Sequence, residues 1–383
     1  MTSNKHNRKI VIVNQAVNYL TIGICNAFAE QFEKVSLITG SIHEQGEELS
    51  PEIKVTWINQ WHEKPAYKKL LSYCWALIRI YWLLLFKYRN YEVFFVSVPP
   101  MAYLLGLFLH RRYSMLIWDV YPDVFKITGM QESHPIYKIW CRLNKRVFHH
   151  AYRIFTIGKK MSDLVANYVD REKINVVPLW AIEQEKPSVS QSENPFVIRE
   201  NLQEKFVVQY SGNIGLTHNV EVMIDLAEYL NGHDHVLFQI IGRGPRASVL
   251  ERMVRERGLN NCQFLPFQSD EMFPYSLSAA NLGVVILNEL TSKGSVPSKS
   301  YNLMRFGIPS LYIASKDSEL NTYCQKFKHG RCFNASNLQA AADFIMKLSD
   351  DENLQQEYSQ NAIKASKNFT RDNADYLVNQ YIE

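Results

Sequence analysis

The sequence predicts an α/β protein built from two doubly wound parallel-sheet domains. Short apolar runs alternate with longer helical patterns, as expected for buried parallel strands that are covered by helices on both faces. This alternation stops at a polar stretch, residues 182–195, and then begins again. With 383 residues, the chain is also longer than one ordinary hydrophobic core requires.

In the first half, each predicted strand is a compact apolar run. Strands are predicted at Lys9–Val13, Lys34–Thr39, Val55–Ile58, Glu92–Ser97, Ser114–Trp118, Arg153–Ile157 and Asn175–Pro178. Helices are predicted near Thr21–Gln31, Pro100–Leu109, Pro135–His150 and Lys160–Tyr168. We therefore place an N-terminal domain at residues 1–181.

The second half repeats the pattern. Strands are predicted at Phe206–Tyr210, Val236–Ile241, Cys262–Leu265, Leu282–Leu287 and Pro309–Ile313. Helices are predicted at Val220–Leu230, Ala247–Arg257, Asp270–Ala279, Ser298–Phe306 and Leu338–Leu348, followed by a polar helical tail. We place the C-terminal domain at residues 182–370 and expect a ligand cleft where the carboxyl ends of the two sheets meet.

Composition limits the class of protein. A hydrophobic fraction of 46% and an aromatic fraction of 13% indicate a packed globular protein. The six cysteines are scattered, which suits a reducing cytosol better than a zinc site or a disulfide framework. The first half carries net positive charge and the second half net negative charge. This asymmetry favours an anionic surface facing the first half, and random drift between two domains is the alternative.

Residues 65–89 form an unusual segment. An apolar run from Leu70 to Phe86 contains Arg79 and has basic residues on both sides. The run is shorter than the ~20 apolar residues that a bilayer-spanning helix needs. One interpretation is an interfacial helix whose aromatic residues contact a membrane surface. The other is a long helix that covers the N-terminal sheet with its aromatic residues in the core.

The segment Val296–Pro309 carries the most specific pattern. Pro297 and Ser298 predict a helix start, and Gly307 predicts its end. Unpaired backbone N–H groups and the side chain of Lys299 would then form a seat for a diphosphate. An ordinary capped helix with a solvated lysine is the alternative interpretation.

Glycine-rich turns follow two strands of the second domain. The turns are Tyr210–Gly215, with the sequence YSGNIG, and Gly242–Pro245, with the sequence GRGP. Glycine at such a turn lets a backbone approach a phosphate or a sugar closely. In the first domain, Asp119 ends a strand and is expected at the sheet edge, where it is a candidate catalytic or acceptor-binding residue. A helix cap or Asx turn is the alternative.

Together these motifs resemble the retaining glycosyltransferases of family 4, in the bacterial branch that builds O-antigen, capsule and exopolysaccharide. The resemblance is carried by YSGNIG, GRGP, FLPF (Phe264–Phe267) and VPSKSYNLMRFGIP (Val296–Pro309). DVYP (Asp119–Pro122) and VPLW (Val177–Trp180) resemble the corresponding first-domain turns of that branch. The family resemblance spans nearly the whole chain and is strongest from Tyr210 to Pro309.

The resemblance implies a GT-B fold, with two facing Rossmann-like domains and a last helix, Arg371–Glu383, that returns to the first domain. It implies a retaining, metal-independent hexosyltransferase that uses a nucleotide diphosphate sugar, with UDP the expected nucleotide. Retention would proceed by attack on the same face, with the leaving phosphate taking the proton. The expected catalytic residues are Asp119 and Lys299. The expected donor-binding residues are Ser211, Gly212, Asn213, Gly215, His218, Gly242, Gly244, Pro266, Pro297, Ser298, Lys299, Ser300, Tyr301 and Asn302.

The acceptor is expected on the first domain, at Asn14, Asp119 and Tyr121. The resemblance implies a lipid-linked saccharide as acceptor and a cytoplasmic enzyme that is peripheral on the inner face of the cell membrane. No metal, other cofactor or nucleic acid is expected.

The chain departs from the family pattern at four positions. Gly294 and Asn302 occupy the positions of a paired glutamate motif, and Asn213 and His218 occupy those of an Arg and a Lys. The amide of Asn302 still offers a donor and an acceptor for a ribose hydroxyl. Two alternatives to a transferase stay open: a sugar-nucleotide epimerase on the same fold, and a non-catalytic sugar-nucleotide-binding protein, which the missing glutamate pair favours.

Overall fold

A computed structural model describes residues 5–61, 66–187, 189–215, 219–290 and 292–383. The chain forms two compact units. Unit 1 is Met1–Glu183 together with Arg371–Glu383, and unit 2 is Gln184–Thr370. The boundary predicted after residue 181 lies close to this division.

The described part of unit 1 contains a seven-stranded parallel sheet. Its order is β5-β3-β1-β6-β7-β8-β9, and β2 pairs separately with β4. The strands are β1 (His6–Val13), β2 (Ala16–Val17), β3 (Phe32–Thr39), β4 (Ser41–Ile42), β5 (Lys54–Trp57), β6 (Glu92–Val96), β7 (Tyr113–Ile117), β8 (Ile154–Thr156) and β9 (Ile174–Val176). The direction of the strand order reverses between β1 and β6, so the carboxyl ends of these strands border a crevice that is typical of ligand sites.

Helices cover the unit 1 sheet. They are α1 (Tyr19–Gln31), α2 (Ala66–Leu85), α3 (Pro135–His150) and α4 (Lys159–Val165), with 3₁₀ helices at Ala102–Phe108, Asp123–Thr128 and Arg171–Lys173. Every fourth residue of α2 from Ser72 to Leu84 is buried, and Ala76, Ile80 and Leu84 are fully buried. Such spacing is expected where one helical face packs against a sheet.

Unit 2 repeats the architecture with a six-stranded parallel sheet in its described residues. The order is β12-β11-β10-β13-β14-β15. Its elements are α5 (Pro195–Arg199), β10 (Phe206–Ser211), α6 (Glu221–Tyr229), β11 (Val236–Ile241), α7 (Ala247–Glu256), β12 (Cys262–Leu265), α8 (Phe273–Ser278), β13 (Leu282–Ile286), α9 (Lys299–Arg305), β14 (Ser310–Ile313), α10 (Glu319–Phe327), β15 (Gly330–Phe333), α11 (Leu338–Asp350) and α12 (Glu352–Ser366), with 3₁₀ turns at Gln191–Glu193 and Ser292–Gly294. The direction of the strand order reverses between β10 and β13.

The last helix, α13 (Asp372–Ile382), belongs to unit 1. The Tyr381 hydroxyl donates to Glu92 at 2.7 Å, and its ring meets that of Phe28 edge-on at 5.2 Å. Arg371, just before the helix, donates to Glu47 at 2.9 Å. These contacts hold the end of the chain against the first sheet.

The predicted fold class is confirmed: both units are parallel-sheet, Rossmann-like α/β structures. Differences occur where the sequence pattern is weak. The helix predicted at Pro100–Leu109 is a 3₁₀ helix, with bonds such as that from Leu104 N to Met101 O. The short strand β15 and the helix α10 were not predicted, because neither contains an apolar run.

Candidate functional site

The candidate donor site lies at the carboxyl edge of the unit 2 sheet. β10 ends at Ser211 and leads into Gly212, β11 ends at Ile241 and leads into Gly242, and β12 leads into Pro266. Gly212 N donates to Ile241 O at 2.9 Å, and Gly242 N donates to Leu265 O at 2.9 Å. The loop backbones therefore continue the ladder beyond the strands, beside the point where the strand order reverses.

Lys299 reaches this edge from the first residue of α9. Its Nζ is inaccessible to solvent and has no hydrogen-bond partner among the described residues. The ammonium lies 4.1 Å from the centroid of the ring of Tyr210, which is the second-last residue of β10. The hydroxyl of Tyr210 donates to Asn213 O at 2.8 Å, which holds the ring in place. A buried cation that touches only a ring face lacks the counter-ion that such groups normally have.

Burial lowers the pKa of Lys299 to about 7. Desolvation disfavours the charged form, and no carboxylate in the described part of the site offsets it. An anion placed beside Nζ would restore the charge. The group therefore suits a ligand that brings its own negative charge, such as a phosphate.

Gly212 makes room for the lysine. A Cβ added to Gly212 would lie 2.7 Å from Lys299 Nζ, so a larger residue would displace the ammonium. The backbone of β10 thus passes directly beside the cation. A phosphate oxygen held at this loop could meet both the ammonium and backbone N–H groups.

Gly242 and Gly244 allow close packing between the loops that follow β10 and β11. A Cβ on Gly242 would collide with Gly212 O, and one on Gly244 would collide with Ile214 O. Ile214 N donates to Arg243 O at 2.9 Å and joins the same two loops. The sequence interpretation assigned these glycines to phosphate approach; in the structure they allow the backbones of adjacent loops to pack together.

The start of α9 differs from the predicted cap. The helix begins at Lys299, and the side chain of Ser298 makes no capping hydrogen bond. Ser300 is fully buried and donates from Oγ to Pro297 O at 2.7 Å. Tyr301 is fully buried, with its ring 4.7 Å from that of Phe369. These two side chains anchor the helix in unit 2 and do not reach its surface.

The other predicted donor residues occupy different positions. Asn213 is exposed, Gly215 is buried and Asn302 is partly buried. His218 lies outside the described residues. Gly294, at a position of the family's paired glutamates, is buried in the 3₁₀ turn Ser292–Gly294.

One further cation stands at the same sheet edge and was not predicted. The Arg243 guanidinium lies 5.7 Å from the centroid of the Phe267 ring, and this ring is 44% exposed. Arg243 follows β11 in the motif GRGP, and Phe267 follows β12 in the motif FLPF. Both motifs were identified from the sequence, but neither of these two side chains was predicted to bind the donor. An exposed ring and a cation side by side can contact a planar base and an anion.

In unit 1, Asp119 follows β7, as predicted. The carboxyl group is desolvated, and this raises its pKa to about 6. Trp118 N, one residue earlier, donates to Ser97 Oγ at 2.6 Å and joins this turn to the end of β6. A carboxylate with this pKa is largely ionised at neutral pH and can accept a hydrogen bond from a hydroxyl group.

The turn that carries Asp119 and Tyr121 is held by a buried amide that the sequence interpretation missed. Asn144 of α3 is fully buried; its Nδ2 donates to Tyr121 O at 2.7 Å, and its Oδ1 accepts from the Tyr103 hydroxyl at 2.9 Å. The rings of Tyr121 and Trp140 stack 5.7 Å apart. A polar residue on the apolar face of α3 was the signal that could have revealed this clamp.

Asn14 lies at the end of β1, beside the reversal of the unit 1 sheet. It is fully buried, donates from Nδ2 to Thr21 Oγ1 at 2.8 Å and accepts from Ala16 N at 3.0 Å. Its amide is therefore committed to the turn between β1 and α1. A role in acceptor binding stays a prediction.

The structure describes two further properties of the chain. Among its described residues, no group of three or more His, Cys, Asp or Glu side chains is arranged to hold a metal ion. Within the same ranges, no helix has the length and apolar character to cross a bilayer.

Comparison with known proteins relates this geometry to an enzyme family. Residues 191–365 match the family described as "Glycosyl transferases group 1". The chain is 28% identical over 207 residues to WcaI of Escherichia coli (strain K12), named as a colanic acid biosynthesis glycosyl transferase, covering 52% of this chain and 50% of that protein. It is 24% identical over 237 residues to WbjE of Pseudomonas aeruginosa, named as a glycosyltransferase, covering 61% and 57%. The chain thus spans between one half and two thirds of the length of these relatives.

Among solved structures, Anabaena Alr3699/HepE in complex with UDP and glucose has the same fold. The TM-score is 0.74 at 14% identity, over 98% of this chain and 99% of the other. This likeness concerns the fold alone. The resemblance found in the sequence motifs is confirmed at the level of the glycosyl transferases group 1 family, whose match covers residues 191–365, within the second of the two Rossmann-like units.

Proposed function

We propose that the protein is a retaining glycosyltransferase that moves a sugar from a UDP-sugar to a lipid-linked saccharide during the synthesis of a cell-surface polysaccharide. The observation that carries the proposal is the buried, unpartnered ammonium of Lys299 beside Gly212, at the reversal point of the unit 2 sheet. The group 1 family match over the same region supports a glycosyl donor as its ligand.

In the proposed reaction, the diphosphate of the donor binds against Lys299 Nζ and the backbone of the Gly212 loop. Charge grows on the leaving diphosphate as the glycosidic bond breaks, and the lysine stabilises this charge most in the transition state. One well-aimed donor of this kind contributes ~3–4 kcal/mol in other enzymes. Because the lysine supplies the counter-charge, we propose that transfer needs no metal ion.

Arg243 and Phe267 are proposed to contact the nucleoside part of the donor. Their cation and exposed ring follow β11 and β12, the two strands beyond β10 on the same side of the sheet. UDP as the nucleotide is supported by the bound UDP in the structure of Alr3699/HepE, which shares the fold.

The acceptor hydroxyl is proposed to bind at Asp119, on the turn held by Asn144. The lipid-linked nature of the acceptor is supported by an apolar surface on the same unit. Along α2, the side chains of Leu71, Trp75, Ile78 and Trp82 are 62%, 56%, 48% and 53% exposed, and Phe86, just beyond the helix, is 68% exposed. We name these five residues the α2 apolar stripe.

The α2 apolar stripe favours the first of the two interpretations of residues 65–89, an interfacial helix, over a helix with its aromatic residues in the core. The aromatic residues Trp75, Trp82 and Phe86 are exposed, whereas the small and aliphatic residues of the opposite face are buried. A contiguous exposed apolar surface is typical of an interaction site, and Trp is enriched where a protein meets lipid headgroups. We propose that unit 1 rests on the inner face of the cell membrane through this stripe.

A transfer assay tests the proposal. Purified protein is incubated with a panel of UDP- and GDP-hexoses and a detergent-solubilised, diphosphate-linked saccharide, and product is followed by mass spectrometry. We expect one donor to be consumed, with the anomeric configuration retained by NMR and turnover unaffected by EDTA. Lys299→Met should abolish transfer, whereas Lys293→Met should not, because Lys293 is exposed and pairs with Asp317. Donor binding without any turnover would instead identify a non-catalytic binding protein.

A further inference from the structure

Unit 2 has a second cleft, at the edge of its sheet opposite to the candidate donor site. Ala280 and Asn281 directly precede β13, Ile308 and Pro309 directly precede β14, and all four residues line the cleft. The donor loops follow the carboxyl ends of β10 and β11, which run parallel to β13 and β14. The cleft has a volume of about 400 Å³, which is within the range of small-molecule sites.

Helix α9 lies between the cleft and the donor residues. Lys299 is the first residue of α9, whereas Gly307, which lines the cleft, follows its C-terminal end. The seven residues of α9 span about 10 Å. Helix α12 packs against this end of α9, because a Cβ added to Gly307 would lie 3.1 Å from Ser359 Oγ. A ligand in the cleft would therefore occupy a place distinct from that of the donor.

The polar side chains that line the cleft are amides, hydroxyls and a lysine. None of the described residues of this lining is Asp or Glu. Helix α12 contributes half of the polar side chains, among them Gln356 and Gln360, which are exposed and one helical turn apart. An amide both donates and accepts hydrogen bonds, as a sugar hydroxyl does. The lining therefore matches a polyhydroxylated ligand.

Two further amides of the lining are each held by one half of the group. Gln191 donates from Nε2 to Ser278 O at 2.8 Å, and Asn281 accepts at Oδ1 from Val207 N at 2.8 Å. Neither side chain forms another hydrogen bond within the described ranges. An acceptor on Gln191 and a donor on Asn281 thus stay available on side chains that are already oriented, which lowers the entropy cost of binding a ligand.

Lys186 supplies the positive charge of the cleft. Among the described residues of the lining, it is the only cation. Desolvation lowers its pKa, and no carboxylate offsets this effect. Its segment is tied to the end of α9, since Arg305 Nε donates to Gln184 O at 3.3 Å. An anionic group beside the ammonium would balance the charge.

We propose that this cleft binds a saccharide that carries one anionic group, which is the carboxylate of a uronic acid or the phosphate of a sugar phosphate. The amides and hydroxyls of the lining would bind the sugar hydroxyls, and Lys186 would bind the anion. The cleft shares no residue with the candidate donor site, so binding here does not require the proposed sugar transfer.

Methyl NMR of the full-length protein tests this inference. Isoleucine methyl groups are labelled with ¹³C, and Ile308→Val assigns the signal of Ile308 in the cleft. Glucuronate, galacturonate and glucose 1-phosphate are titrated, with glucose and galactose as their neutral counterparts. The test variants are Lys186→Gln and the double variant Gln356→Ala/Gln360→Ala. The matched control, Lys347→Gln, removes an exposed lysine of unit 2 that does not line the cleft.

We expect at least one anionic sugar to shift the Ile308 signal saturably and to bind about tenfold more tightly than its neutral counterpart. Lys186→Gln should reduce the affinity for this sugar to the neutral level. The double variant should weaken its binding about tenfold, and Lys347→Gln should behave as the wild type. The tighter of the uronic acids and glucose 1-phosphate identifies the anion. An Ile308 signal that no sugar shifts would overturn the inference, as would an anionic preference that survives in Lys186→Gln.

Lys299→Met distinguishes the cleft from the candidate donor site. This variant should bind the anionic sugar as the wild type does, because Lys299 does not line the cleft. Loss of the Ile308 shift in Lys299→Met would assign the sugar to the donor site, which overturns the cleft site and leaves the proposed function standing. Saturable cleft binding in a wild-type protein that does not bind UDP-glucose would support the cleft and contradict the proposed function. The side chains changed in the test variants are exposed, so these variants should melt at the wild-type temperature.

Discussion

Replacing Lys299 with Met should stabilise the protein while it removes donor binding. Burial lowers the pKa of this lysine from 10.5 to about 7. Between these values the unfolded chain binds one more proton than the folded chain, so folding stability rises with pH across this interval. Below pH 7 the full cost of the buried group is present. Methionine has no proton to lose and fills a similar space.

The size of the gain follows from the pKa difference. At pH 8 the unfolded lysine is protonated and the folded one largely neutral, and the 2.5 units between pH 8 and 10.5 correspond to about 3 kcal/mol. We therefore expect Lys299→Met to raise the free energy of unfolding by up to about 3 kcal/mol at pH 8, and by less as pH approaches 10.5.

Urea unfolding at several pH values measures this effect, with Lys293→Met as the control. Lys293 is exposed and its ion pair with Asp317 is expected to be worth about 0–1 kcal/mol. In parallel, calorimetry should show that Lys299→Met weakens UDP-glucose binding about 100-fold, whereas the control does not. A Lys299→Met protein that is less stable than wild type at pH 8 would contradict the destabilising burial of Lys299, and one that binds UDP-glucose normally would contradict its role as the diphosphate seat.

Four further predictions concern the two sites. Wild-type affinity for UDP-glucose should be constant below pH 7 and fall about tenfold between pH 7.5 and 8.5, because the diphosphate binds the protonated lysine; calorimetry of Lys299→Met should show no such slope. Gly212→Ala should weaken UDP-glucose binding more than about tenfold, since its Cβ would lie 2.7 Å from Nζ; an unchanged dissociation constant would argue against the proposed seat. Asn144→Ala should cost about 2 kcal/mol of stability and lower kcat/KM for the acceptor, with the UDP-glucose dissociation constant unchanged; the reverse pattern would place Asn144 in donor binding. Wild-type activity should fall as pH decreases through about 6, because Asp119 becomes protonated there. Asp119→Asn should transfer much more slowly and without this pH dependence. Wild-type activity that does not fall below pH 6 would contradict the role of Asp119.

Much of the fold follows from the sequence because buried parallel strands are continuous apolar runs. The runs at Phe206–Ser211 and Val236–Ile241 are of this kind, and both are strands in the structure. In contrast, β15 consists of Gly330–Phe333, with an arginine and a cysteine in four residues. It pairs with β14 only because tertiary packing places it there, and no local pattern predicts that.

The site is less accessible from sequence than the fold. The motif around Pro297 singled out Lys299, but its burial depends on the Tyr210 ring and on Gly212, which precede it by more than eighty residues in the chain. The roles of Gly242 and Gly244 also depend on which loop backbones lie opposite them. In the sequence, Asn144 is one polar residue among others in an amphipathic helix. Its role depends on the hydrogen bond to Tyr121 O, which only the structure shows.

The ionisation of Lys299 tests most directly whether this buried lysine receives the diphosphate of the donor. NMR of protein labelled with ¹³C at lysine Cε can follow individual lysine pKa values with and without UDP-glucose, and Lys299→Met assigns the signal. One lysine should titrate near pH 7 in the free protein and above pH 9 when UDP-glucose is bound, which is a rise in pKa of about two or more. A Lys299 signal that titrates near 10.5 in the free protein, or that is unmoved by UDP-glucose, would contradict the claim that this buried ammonium receives the diphosphate.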